Sequence, residues 1–186
     1  MIQLKSKREL EKMREAGRHV GEILQRLGEL AKPGVTTAEL DRVAHAEIRA
    51  RKLESSFLGY APGDNPPFPA VICASVNEEI VHGIPGGRRP VEGDLLKIDF
   101  GAICDGFHAD AAITVPIGEV DEESRRLVST TLSSLYAGVE QMAPGKRLGD
   151  VGAAVQETVE REGFSVVRDF VGHGIGRQFH EEPKVS

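Results

Sequence analysis

Cysteine is nearly absent from this chain: Cys73 and Cys104 are the only two in 186 residues. Two thiols cannot form the disulfide framework of a small secreted domain, and reduced cysteines in a cytoplasmic protein are the simpler expectation. An excess of positive charge is also lacking. Lys and Arg number 23 against 29 Asp and Glu, a formal net charge of −6, which argues against nucleic acid as a partner. No apolar run approaches the roughly 18 residues that a bilayer-crossing helix needs, so no membrane is expected as a partner either. The first residues, Met1 to Glu9, are basic, but no apolar stretch follows them, so they do not read as a secretory leader. What remains is a globular chain long enough to bury a core of its own.

Ser6 with Glu9 three residues later is a capping box that opens a helix. Leu10, Met13, Gly17, Val20, Leu24 and Leu27 then recur at three- and four-residue steps as one apolar stripe, and Pro33-Gly34 ends it. A second box, Thr36 and Glu39, opens a helix with Leu40, Val43, Ala44 and Ile48 on its buried side. Beyond a Gly- and Pro-rich loop over 59–69, residues 70–76, 95–100 and 107–115 have strand composition. A helix is expected over 122–141, stopped by Pro144-Gly145, then a helix over 148–162 and a strand over 165–171.

A shift of 111 residues carries Pro33-Gly34 onto Pro144-Gly145, Leu24 onto Leu135, Leu40 onto Val151 and Ile48 onto Val159. A repeat that long points to a duplicated half-domain: one domain over 1–186, with a first half at about 6–116 and a second beginning at about 117. Ser186 falls on Ser75, within the first half's opening strand. The second half is therefore expected to be incomplete, a full copy running at least about 40 residues further.

The segment from Gly93 to Val115, GDLLKIDFGAICDGFHADAAITV, carries the chemistry. Asp105-Gly106 marks a turn between two strands. A four-residue loop over 103–106 sets Ala102 opposite Phe107 and Asp99 opposite Asp110. Ile98 and Phe100 then share one face, while Asp99 lies on the other with His108, Asp110 and Thr114. Carboxylates directly across an antiparallel pair have Cβ atoms about 5 Å apart and repel. Solvation on an open face relieves that repulsion. So does a shared proton, although the matching Asp-Thr/Ser-Gly loops of aspartic proteases are missing. Bound cations are the third answer, since two metals about 3.5–4 Å apart fit such a pair.

Histidines extend the pattern: His82 in ICASVNEEIVHGIP, His173 and His180 in VGHGIGRQFHEEP. His173 lies between Gly172 and Gly174, where the backbone can pass close to a ligand. The glycine spacing at 172, 174 and 176 is wrong for a dinucleotide fingerprint, and no helix pattern follows. Asp and His ligands suit Mn, Co, Fe(II) or Zn without choosing among them.

These three segments, in this order, resemble the type I, bacterial-like methionine aminopeptidases, and the resemblance runs from Ser6 to Val185. It implies the α+β pita-bread fold, two αβ halves related by a pseudo-twofold around a curved antiparallel sheet, with the second half incomplete here. It also implies hydrolytic removal of the initiator methionine from nascent chains by two divalent ions, near the ribosome, in a complete enzyme that is a cytoplasmic monomer. Carried over by motif, Asp99 chelates one metal, Asp110 bridges both and His173 ligates the other. His82 contacts the substrate around the scissile amide and His180 polarises its carbonyl. Tyr60, Phe68, Cys73 and Phe179 line the methionine pocket, with 61–67 resembling an insertion.

The family supplies two further glutamate ligands from later strands, one of them the general base. Glu181 and Glu182 precede those strands and do not replace them. Reduced metal occupancy, negligible turnover and self-association through open strand edges are therefore expected of these 186 residues alone. Two other readings remain: a pita-bread module that binds a protein without catalysis, and an aminopeptidase that acts before proline.

Overall fold

The computed structural model describes residues 2–186. The order of elements is α1 (Lys7–Leu30), α2 (Thr37–Arg51), β1 (Glu54–Ser55), β2 (Ile72–Val76), β3 (Leu95–Cys104), β4 (Phe107–Pro116), α3 (Glu122–Glu140), α4 (Leu148–Arg161), β5 (Gly172–Gly174) and β6 (Glu181–Val185). Two compact units emerge. The first is Leu4–Val120 with Ile175–Phe179, and the second is built mainly of Asp121–Gly174 and His180–Ser186.

In the first unit both expected capping boxes close. The Glu9 carboxylate accepts from the Ser6 amide at 2.9 Å, and that of Glu39 accepts from the Thr36 amide at 2.7 Å, so amides left orphaned at each helix start are satisfied. Strand β3 is the spine of an antiparallel sheet: β4 pairs along its whole length, β2 pairs with Leu96–Phe100, and β1 pairs with Ala102–Ile103. Alternation divides its side chains. Leu96, Ile98, Phe100 and Ala102 are buried in one core with Val20, Ile23, Leu24 and Leu27 of α1 and Leu40, Ala44 and Ile48 of α2. Asp99 lies on the opposite face. Helix α1 comes close enough to β4 that a Cβ on Gly28 would stand 3.1 Å from Ile113 Cδ1.

The second unit repeats the helical pattern. Helices α3 and α4 lie 111 residues beyond α1 and α2, and the Pro-Gly stops match, with Gly34 at φ 87° and Gly145 at φ 88°, a conformation only glycine takes without strain. Asp150, the counterpart of Glu39, accepts from the Arg147 amide at 2.7 Å. One expected element fails. Residues 165–171 are not a strand; the short β5 begins only at Gly172 and pairs with β6. Val167, Phe170 and Val171 have strand composition but are exposed, and among the described residues the stretch is part of no sheet. Propensity without a ladder does not make a strand.

Candidate metal centre and aromatic pocket

The β3–β4 hairpin is tighter than the sequence suggested. Asp105 (φ 51°) and Gly106 (φ 77°) both occupy the left-handed region, as a type I′ turn requires, so the loop has two residues and Cys104 pairs with Phe107. The expected pairing of Asp99 with Asp110 is thereby corrected. Asp99 stands opposite Ala112 and Asp110 opposite Gly101, which makes the two carboxylates diagonal neighbours. A shift of two positions keeps both on the same face.

Asp110 is strongly perturbed. Burial chiefly, then the charge of Asp99 and a hydrogen bond shared with it, raise its pKa well above the ordinary carboxylate range. Its Oδ1 is buried without a hydrogen-bond partner. A carboxylate oxygen left that way is costly unless a proton or cation satisfies it. Gly101 keeps the space open: a Cβ there would stand 2.8 Å from a Phe57 ring carbon, 3.0 Å from Ser56 Cβ and 3.3 Å from Asp110 Oδ1. Cys73, opposite Asp99 on β2, is buried. Burial first, then the charges of Asp99 and Asp110, push its thiol up to about 12, so it stays neutral.

Beside the carboxylates is an aromatic cluster. Phe179 lies 5.5 Å from Phe57, 5.3 Å edge-on from Tyr60 and 5.7 Å in a near-parallel stack from His108, between ring centroids. Phe68 meets Phe57 edge-on at 6.3 Å. The Phe57–Phe68 and Tyr60–Phe179 pairs have the favoured T-shaped geometry, and Phe57–Phe179 is tilted. The stretch 61–67 does not displace Tyr60 and Phe68, because the Phe68 amide donates to Tyr60 O at 2.9 Å and the Gly59 amide to Phe68 O at 2.8 Å, closing the excursion at its base. Of the expected pocket residues, Tyr60, Phe68 and Phe179 come together here, and Cys73 lies by the carboxylates. Phe57, Ser56 and His108 were not anticipated. Ser56 Oγ and His108 Nδ1 are 2.9 Å apart, and the parity that puts His108 on the face of Asp110 was the available signal.

His82 is exposed at φ 61°. The loop that carries it is tied to β2, since the Ala74 amide donates to Gly83 O at 2.8 Å and the Gly83 amide to Ser75 Oγ at 3.0 Å. A Cβ on Gly83 would run into the Ala74 carbonyl. In the second unit, His173 and His180 stand with ring centroids 4.1 Å apart. His173 Nδ1 is 2.8 Å from Gly174 O. A carbonyl only accepts, so Nδ1 carries the proton and Nε2 keeps the lone pair that a metal takes. Among the described residues no group of three or more His, Cys, Asp and Glu side chains is arranged to hold a metal ion. What the structure brings together is the Asp99–Asp110 pair in one unit and the His173–His180 pair in the other. The first fits a cation by its orphaned oxygen and crowded charge, and His173 fits one by its tautomer.

Comparison with known proteins agrees with that chemistry. The family model described as metallopeptidase family M24 matches residues 11–186. A methionine aminopeptidase of Clostridium acetobutylicum is 49% identical over 186 residues, covering 100% of this chain and 72% of its own length. Methionine aminopeptidase 1 of Bacillus subtilis is 45% identical over 185 residues, covering 100% and 73% respectively. The crystal structure of methionine aminopeptidase from Thermotoga maritima superposes with a TM-score of 0.94 at 39% identity, over 100% of this chain and 73% of that one. An X-Pro aminopeptidase structure from Thermotoga maritima has a TM-score of 0.79 at 22% identity over 98% of this chain and 49% of that one, a likeness of fold alone.

Proposed function

The chain belongs to the M24 metallopeptidases, among the methionine aminopeptidases of bacterial type and with their pita-bread α+β fold, and from that premise we propose how its residues divide the work of removing an initiator methionine. Asp99, Asp110 and His173 would hold the divalent ions, the two carboxylates as shared anionic ligands and His173 through Nε2. The observation that carries this assignment is the Asp99–Asp110 pair: two carboxylates on one sheet face, one with a buried oxygen that nothing in the protein satisfies. Two divalent ions, when bound, supply the Lewis acidity and the nucleophile that peptide hydrolysis needs at neutral pH. Co, Mn, Fe(II) and Zn all suit these ligands.

The remaining residues bind and orient. Tyr60, Phe68, Phe179 and Cys73, with Phe57 and His108, form a mostly apolar recess for an unbranched thioether, and sulfur against aromatic rings is a favourable contact. The neutral Cys73 thiol keeps charge out of that recess. His82 reaches the substrate around the scissile amide, and His180 donates toward its carbonyl oxygen, where negative charge develops as the carbonyl is attacked. The substrate is the N-terminal methionine of a nascent polypeptide, met in the cytoplasm near the ribosome. Among the described residues no helix is long and apolar enough to cross a membrane.

Calorimetric titration with Mn²⁺, followed by Met-Ala-Ser or Ala-Pro-Ser peptide, tests this without depending on turnover. Mn²⁺ should bind with measurable heat, Asp110→Asn should weaken it by more than about 100-fold, and the methionine peptide should bind in preference to the proline one. Absence of any metal heat in the wild-type protein would favour the non-catalytic binding module instead.

A further inference from the structure

Residues Ile175–Phe179 belong to the first unit although their neighbours in sequence belong to the second. They are fastened at two consecutive residues. The carbonyl of the buried Gly176 accepts the His108 amide at 2.8 Å. The Arg177 guanidinium lies 4.5 Å over the centroid of the fully buried Phe107 ring, and its Nη2 is 3.2 Å from Glu9 Oε1. The other oxygen of Glu9, Oε2, is committed to the Ser6 cap of α1. Arg177 therefore ties this short strap both to the start of β4 and to the first turn of α1. Two residues on, Phe179 enters the cluster of Phe57, Tyr60 and His108.

We propose that Arg177 is a positioning residue for methionine selectivity: by clamping the strap to Phe107 and Glu9, it holds Phe179 as a wall of the aromatic recess. This rests on reading that recess as the methionine pocket. The strap has no helix or strand of its own to fix its backbone. At Gly176 the carbonyl accepts from His108 and the amide donates to Gln178 O at 3.2 Å, and the planar guanidinium on Phe107 adds a side-chain hold next to Phe179. Arg suits the task because one flat cation can cover an aromatic face and pair with a carboxylate at its edge.

The test uses Arg177→Gln and Arg177→Lys. In R177Q, hydrogen exchange of the His108 amide should accelerate about tenfold. The affinity ratio of Met-Ala-Ser over Ala-Ala-Ser, measured by calorimetry with Mn²⁺, should fall by a similar factor. Mn²⁺ affinity and melting temperature should stay near wild type, which a general loss of structure would not allow, and R177K should recover part of the selectivity. An unchanged peptide ratio in R177Q overturns the role of Arg177. A wild-type protein with no preference for the methionine peptide overturns the functional assignment itself and takes this role with it. The His108 exchange rate would still report whether the clamp exists.

Discussion

Helices α1 and α3 stand at equivalent points of the 111-residue repeat, and they use their apolar residues differently. Helix α1 buries Ala16, Val20, Ile23, Leu24 and Leu27 and packs on β3 and β4. Helix α3 buries Thr130, Ser134 and Gly138, packs chiefly on α4, and leaves Leu132, Leu135, Tyr136 and Val139 exposed. Once shifted, the two helices end within one residue of each other, α3 starting four residues later, so helix formation does not depend on what covers the stripe. Capping and spacing set the helix. The worth of each apolar side chain is set by whether a sheet lies against it.

The sharpest way to break that comparison is to truncate equivalent faces. Leu27→Ala removes a side chain with no exposed surface and should cost about 2–5 kcal/mol. Leu135→Ala, where 57% is exposed, should stay within about 0.5 kcal/mol. Urea melts of the two variants measure the difference, and equal losses would mean that the Leu135 stripe is covered in solution.

A smaller effect is expected where the repeat swaps glycine for valine. Gly28 and Val139 are equivalent positions. Gly28→Val should cost about 1–3 kcal/mol by driving methyl groups into Ile113 and Val115, whereas Val139→Gly should lose only about 0.5–1 kcal/mol of helix propensity. Thermal melting would show it, and a harmless Gly28→Val would mean that β4 yields.

The smallest effect concerns the second helix of each pair. Thr36 caps α2, its Oγ1 accepting from the Glu39 amide at 3.1 Å, and Thr36→Ala should cost about 1 kcal/mol. Arg147 holds the same place before α4 without a cap from its side chain, so Arg147→Ala should be near neutral and Arg147→Ser should stabilise α4 by a few tenths of a kcal/mol. Chemical denaturation of the three variants checks the order.

Much of the site was legible because its elements announce themselves locally. Ser6 with Glu9 and Thr36 with Glu39 close as capping boxes, and period-two alternation correctly put Asp99, His108 and Asp110 on one face. The register is not fixed locally, because an Asp-Gly pair such as Asp105-Gly106 is compatible with more than one loop length. Only the left-handed geometry at both turn residues makes it two. The strand expected over 165–171 is not formed because the stretch joins no sheet ladder among the described residues, which composition cannot decide. Phe57 is a lone aromatic in a loop and carries no periodic signal.

The amino-acid sequence by itself determined where helices begin and end, which residues alternate to which face, and which motifs carry carboxylates and histidines, because caps, spacing and turn residues act within a few positions along the chain. Tertiary structure alone decided that Asp110 sits across from Gly101 and not Asp99, that its oxygen is buried without a partner, and that Phe57, Tyr60, His108 and Phe179 meet. Those facts depend on residues far apart in the chain being brought into one desolvated place, where dielectric, crowding and unmet hydrogen bonds act together.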